Sequence, residues 1–179
     1  MRCSSWSWPQ GTVRDEHWQR SKPMELASAQ RVDAADVDVI HRVASKYYWL
    51  IFIDSGNDES DPMWRLMIHH TDQLVVATTT RDDHAEAGAL LLEALGQQND
   101  KAHALAQNAV AVVTQADSKA TTADVKRVAD GYKTLARAVA TIPFDPAMVD
   151  GILRYDALRP STQRAWLAAG AAVARGLQK

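Results

Sequence analysis

The residue in this chain best placed to do chemistry is an aspartate at the end of an apolar run. Residues 49–58 read WLIFIDSGND: five apolar residues run into Asp54, then into small and polar residues that cannot continue a strand. A short apolar run so dense in aromatic and β-branched residues predicts a strand over 48–53, buried on both faces as in a parallel sheet. An acid where such a strand emerges lies at the carboxyl edge of the sheet, where open α/β folds place their ligands. From there a carboxylate can hold the Mg²⁺ of a bound nucleotide. The same residue can instead cap a turn or the next helix. The segment alone leaves both readings open.

Other clusters carry less. His69 and His70 with Asp72 invite a metal or acid–base reading. Neighbouring residues on a helix point about 100° apart, so adjacent histidines seldom ligate one metal, and a solvated helix end accounts for them. The run Arg81, Asp82, Asp83, His84 could hold a catalytic pair. Acids at a helix start are, however, favoured by capping and by the helix dipole. The single cysteine, Cys3, excludes an intrachain disulfide, and no Cys/His cluster has zinc-ligand spacing. No Ser/His/Asp or Cys/His arrangement is present.

The elements that must position these residues follow from the pattern. At 179 residues, with 46% hydrophobic residues and net charge −2, the chain has enough apolar content for one sizeable core and no global electrostatic case for nucleic acid. No apolar run approaches the ~18 residues of a membrane span. The first twenty residues lack the apolar core of a secretory signal, so a cytoplasmic protein is expected. Residues 1–24 hold three of the six tryptophans (Trp6, Trp8, Trp18) without helical or strand period and read as a poorly ordered leader. The domain proper is expected over 25–179.

From Ala34 onward helical and strand patterns alternate. A helix carrying Val37, Ile40, Val43 and Ala44 on one face is capped near Asp33; a short helix over 61–70 has Met63, Leu66 and Met67 as its apolar side. Strands are predicted over 73–77, 109–113 and 138–142, besides 48–53. Helices are predicted from Asp82 or Asp83, as cap, through Leu95, over 100–107, from Thr121 or Thr122 to about Leu135 with an interruption at Gly131, and over 161–177. The last is so rich in alanine that close packing on a neighbour is expected. Four strands separated by helices give an α/β fold, a largely parallel sheet flanked by helices. The segments after the strands, 54–58, 78–82, 114–117 and 143–145, are all polar and line one sheet edge.

At this point the chain resembles a family. FIDSGND, then DQLVVATTTRDDHAEAGALLLEAL, then AVAVVTQAD, then TIPFDPAMVDG, is similar in order and spacing to the ParA/MinD-type P-loop ATPases, with the actinobacterial ParA-like partition proteins nearest in texture. The likeness spans roughly 25–177. It implies a P-loop NTPase fold, ATP and Mg²⁺ as cofactors, a homodimer, and a role in plasmid or chromosome partitioning with a partition partner protein. Carried over by position, Asp54 matches the Walker B acid that serves the metal, and Ser55, Gly56 and Asn57 match the switch II turn beside the γ-phosphate. Thr114 and Gln115 match the place where relatives often put an adenine-reading Asn; the Thr here departs from that pattern. Pro143, Phe144 and Asp145 match the segment packed around the base. Arg81 matches a loop near the dimer interface. Relatives use basic residues near the C-terminus for non-specific DNA binding, which makes Arg154, Arg159 and Arg164 DNA-binding candidates; a solvated helix face accounts for the same residues.

One hallmark of the family is absent. A P-loop needs glycines so that successive N–H groups cradle phosphate, and a lysine to neutralise its oxygens. No G-x-x-x-x-G-K-[ST] occurs here, and the eight glycines are scattered at 11, 56, 88, 96, 131, 151, 170 and 176. The chain is therefore expected to be the C-terminal two-thirds of such an ATPase, with the N-terminal strand and P-loop missing: a truncated product, a mis-called start or a degenerate paralogue. Three functions follow as expectations. One is an ATPase with an incomplete site and little activity alone. The second is a nucleotide-independent interaction module that binds an intact ParA-like relative or a partition partner. The third is a non-functional fragment with an open sheet edge, prone to aggregate.

Overall fold

The computed structural model describes residues 33–56 and 61–178. The leader, Cys3, Trp6, Trp8, Trp18 and Asn57 lie outside the described residues. The chain falls into two compact units, divided between His70 and Thr71.

The first unit holds two helices, α1 (Ala34–Tyr47) and α2 (Pro62–His69). The expected cap of α1 is present as a reciprocal box: Asp33 accepts from the Asp36 N–H at 2.9 Å, and Asp36 accepts from the Asp33 N–H at 3.0 Å. For α2, Asp61 accepts from the Met63 N–H at 2.8 Å and Pro62 occupies the first turn, where its missing donor does no harm. The buried stripe of α2 is Trp64, Met67 and Ile68, an i, i+3, i+4 set turned from the expected Met63, Leu66 and Met67.

The strand expected over 48–53 is not a strand. The chain leaves α1 in an extended conformation at Tyr48 (φ −124°, ψ 132°), but residues 48–56 join no sheet among the described residues. Trp49 is fully exposed, and Phe52 is 81% exposed. The reason is physical: β-branched and aromatic residues favour an extended backbone, but a strand also needs a neighbour, which such a run does not name.

The second unit is a three-stranded parallel sheet, β1 (Val75–Thr79), β2 (Val110–Thr114) and β3 (Ala138–Ile142), in spatial order β1-β2-β3. Thus the sheet has three of the four expected strands, β3 with the expected bounds and the other two displaced by one or two residues. Helices α3 (Asp82–Gly96) and α4 (Asp100–Gln107) connect β1 to β2, α5 (Thr122–Tyr132) connects β2 to β3, and α6 (Pro160–Leu177) follows. β2 is central and buried from Val110 to Val113, as a continuous apolar strand covered on both faces must be.

The two sheet faces are covered differently. Val110 and Val112 of β2 and Ala138, Ala140 and Ile142 of β3 pack on Ala165, Trp166, Ala169, Ala172 and Val173 of α6. Ala169 and Ala172 thus supply the close packing expected of that helix, whereas Ala168, Ala171 and Ala174 face solvent. On the other face α3 lies against β1. A Cβ on Gly88 would stand 2.3 Å from the Tyr132 hydroxyl and 2.8 Å from Val76 Cγ1, so only glycine admits this approach of α3. α5 ends at Tyr132, one residue past Gly131, and 133–135 form a turn, so the helix stops short of the expected Leu135.

Candidate site at the carboxyl edge of the sheet

The register aligns Thr79, Thr114 and Ile142 across the three strands, so the polar segments that follow them emerge side by side. Several polar groups there are held by specific bonds within the chain. The Thr114 hydroxyl donates to the Thr78 carbonyl at 3.2 Å, tying β2 to β1 where both end. The Gln115 backbone N–H continues the ladder to the Ile142 carbonyl at 2.9 Å. Its side-chain amide reaches both ways: Nε2 donates to the Ala120 carbonyl at 2.6 Å, and Oε1 accepts from the Phe144 N–H at 3.2 Å. Gln115 therefore ties its own loop to the segment after β3.

Asp145 does the same for α6. Its Oδ1 accepts from the Ala147 N–H at 3.1 Å, capping the single turn Pro146–Met148, and its Oδ2 accepts from the Arg159 N–H at 2.7 Å, just before α6 begins. Asp145 is 2% exposed. The Arg159 N–H holds the carboxyl below the ordinary carboxylate range, with the Thr162 hydroxyl, the Ala147 N–H and the Arg159 charge adding to it against the opposing effect of burial.

At the β1 end, the Thr79 hydroxyl accepts from the Arg81 N–H at 3.2 Å and lies 3.0 Å from His84 Nδ1. Arg81, not an aspartate, occupies the cap position of α3 and makes no side-chain cap bond; Asp82 and Asp83 lie in the first turn, where the helix dipole favours them. The Arg81 guanidinium grips Asp83 in a two-pronged pair, 3.0 and 2.7 Å, and this bond holds the Asp83 carboxyl at about 2. Asp82 pairs with Arg127 of α5 at 2.7 Å. Tyr132 donates to the Ala85 carbonyl at 2.7 Å; burial raises its phenol, with the Thr78 hydroxyl opposing.

The structure thus brings together Thr114, Gln115, Phe144, Asp145 and the backbone of Arg159 as one bonded edge. Asp54, Ser55 and Gly56 belong to the first unit and are described within it. There Asp54 Oδ1 accepts from the Gly56 N–H at 3.2 Å, Gly56 sits at φ 63°, and the Asp54 side chain is exposed. This is an Asx turn, the second of the two readings of Asp54. Arg154, Arg159 and Arg164 are all exposed, and no described carboxylate pairs with any of them.

A further cluster was hidden in the sequence. His70 pairs with Asp38, thirty-two residues away, at 2.6 Å rather than with nearby Asp72, and the His41 ring stacks on His70 at 4.1 Å. The 38/41 spacing on one helical turn was its only signal. No group of three or more His, Cys, Asp or Glu among the described residues is arranged to hold a metal ion. No described helix is long and apolar enough to cross a membrane. No family model, curated protein or solved structure matches this chain.

Proposed function

We propose that this chain is a ParA/MinD-like module of plasmid or chromosome partitioning that works through protein contacts and not through nucleotide. Its occupant would be an intact ParA-like relative or a partition partner protein. The observation that supports this reading is that the Gln115 and Asp145 side chains are each bonded twice to groups of the chain itself, which ties them to the fold.

Mg·ATP, which the resemblance implies, does not fit the residues present. Asp54 spends an oxygen on its own turn, no set of described carboxylates and histidines converges with it, and the chain offers no glycine-rich loop with a lysine. No step through the nucleotide follows for this polypeptide. The parallel sheet with helices on both faces and a polar carboxyl edge supports the likeness at the level of architecture.

A mixing experiment tests the proposal. The full chain and an intact ParA-like ATPase are combined with and without Mg·ATP and followed by size-exclusion chromatography with light scattering. A complex of equal strength in both conditions is expected. A complex only with nucleotide, or none in either condition, contradicts it.

A further inference from the structure

Helix α1 has two different sides. Val37 is buried and Ile40 and Ala44 are half-buried, and the helix packs on α2. Its other side exposes Val39 (52%), Val43 (50%) and Tyr47 (75%), one residue per turn. Asp36 and Lys46, both exposed, lie three residues before Val39 and three after Val43. Asp36, Val39, Val43 and Lys46 thus follow the 3-4-3 spacing of a helix-pairing seam, apolar in its two middle layers and charged at its ends. Asp36 accepts the Asp33 N–H, and neither Asp36 nor Lys46 is in an ion pair among the described residues. A helix side that only faces water is ordinarily polar, and valine adds little to the helix itself.

From this seam we propose that a second copy of the chain pairs with the first through α1, the two helices antiparallel about a two-fold axis. Val39 and Val43 lie symmetrically about position 41, and so do Asp36 and Lys46. Antiparallel pairing about that position therefore sets Val39 against Val43 of the second copy and Asp36 against Lys46 of the second copy. The two-fold axis repeats both contacts. Four valines meet at the centre, closed at each end by an acid–base pair. Parallel pairing would set Asp36 on Asp36 and Lys46 on Lys46. The charges of α1 are thus complementary to a reversed copy of itself, which selects both the occupant and its direction. The inference concerns the first unit alone and does not rest on the partition reading.

Sedimentation velocity of the full chain tests it. Two apolar layers give weak association, so the chain is followed from about 5 to about 300 µM. A monomer–dimer equilibrium is expected, weakened about tenfold or more by Val43→Lys, which sets a charge in the centre of the seam. Leu167→Lys, on a similarly exposed apolar side chain of α6, is expected to leave it unchanged. Lys46→Glu and Asp36→Lys are each expected to lose self-association, and an equimolar mixture of the two to recover it, because the mixture restores opposite signs at both ends. A monomer throughout the range overturns the proposal. So does a dimer that Val43→Lys weakens no more than Leu167→Lys does. A mixture that stays monomeric, with both variants at wild-type helix content by circular dichroism, also overturns it; if Asp36→Lys loses helix content, Val43→Lys decides.

Discussion

Asp145 Oδ2 accepts the backbone N–H of Arg159 at 2.7 Å, so a residue just past the last strand fixes the start of the last helix. The same carboxylate caps the turn at Ala147. Removing it leaves two covered donors without partners, and Asp145→Ala is expected to lower the thermal midpoint more than Asp145→Asn, which keeps one acceptor. The pH dependence has a definite sign. Because the folded carboxyl lies below its ordinary value, its contribution is present above that value, near pH 4, and is lost as pH falls through the folded value. Denaturation midpoints against pH should therefore converge for wild type and Asp145→Asn in acid.

Gly88 gives a prediction whose sign is diagnostic. Alanine in a helix interior normally gains up to about 1 kcal/mol over glycine. Here the added methyl meets the Tyr132 hydroxyl and Val76, and Gly88→Ala is expected to destabilise by about 1–3 kcal/mol in urea denaturation. Tyr132→Phe in the same chain removes the nearer clash and should recover part of the loss.

Trp49 and Phe52 stand in solvent on a segment with no sheet partner among the described residues. Such a run is a template for aggregation. Phe52→Lys is expected to change stability by less than about 0.5 kcal/mol while raising the concentration at which the chain stays monodisperse in light scattering.

Helices were the most legible part of the chain. The cap expected near Asp33 is Asp33 itself, the one expected at Thr121 or Thr122 is Thr121, and α4 and β3 have the bounds their patterns predict. Position 48–53 was misread because its composition specifies an extended backbone but says nothing about a neighbour. Of the site, the sequence located Thr114, Gln115 and Asp145 at the sheet edge but not their use. Whether an amide reads a ligand or its own backbone depends on tertiary distances such as Gln115 to Phe144, which no spacing encodes. The pairing of Asp38 with His70 was hidden for the same reason.

Arg154, Arg159 and Arg164 are exposed without a described carboxylate partner, but the chain as a whole carries −2. As a solvated face they are expected to give no retention of duplex DNA at physiological salt. Fluorescence anisotropy checks this. Binding whose salt slope drops by about 1 with each Arg→Ala change would assign them to phosphate contacts instead.

Asp54 and the sheet-edge residues meet their most direct test in calorimetric titration of the full chain with Mg·ATP. No saturable heat is expected up to millimolar nucleotide, and Asp54→Ala should leave the trace unchanged. Micromolar binding lost in Asp54→Ala would contradict the nucleotide-independent reading.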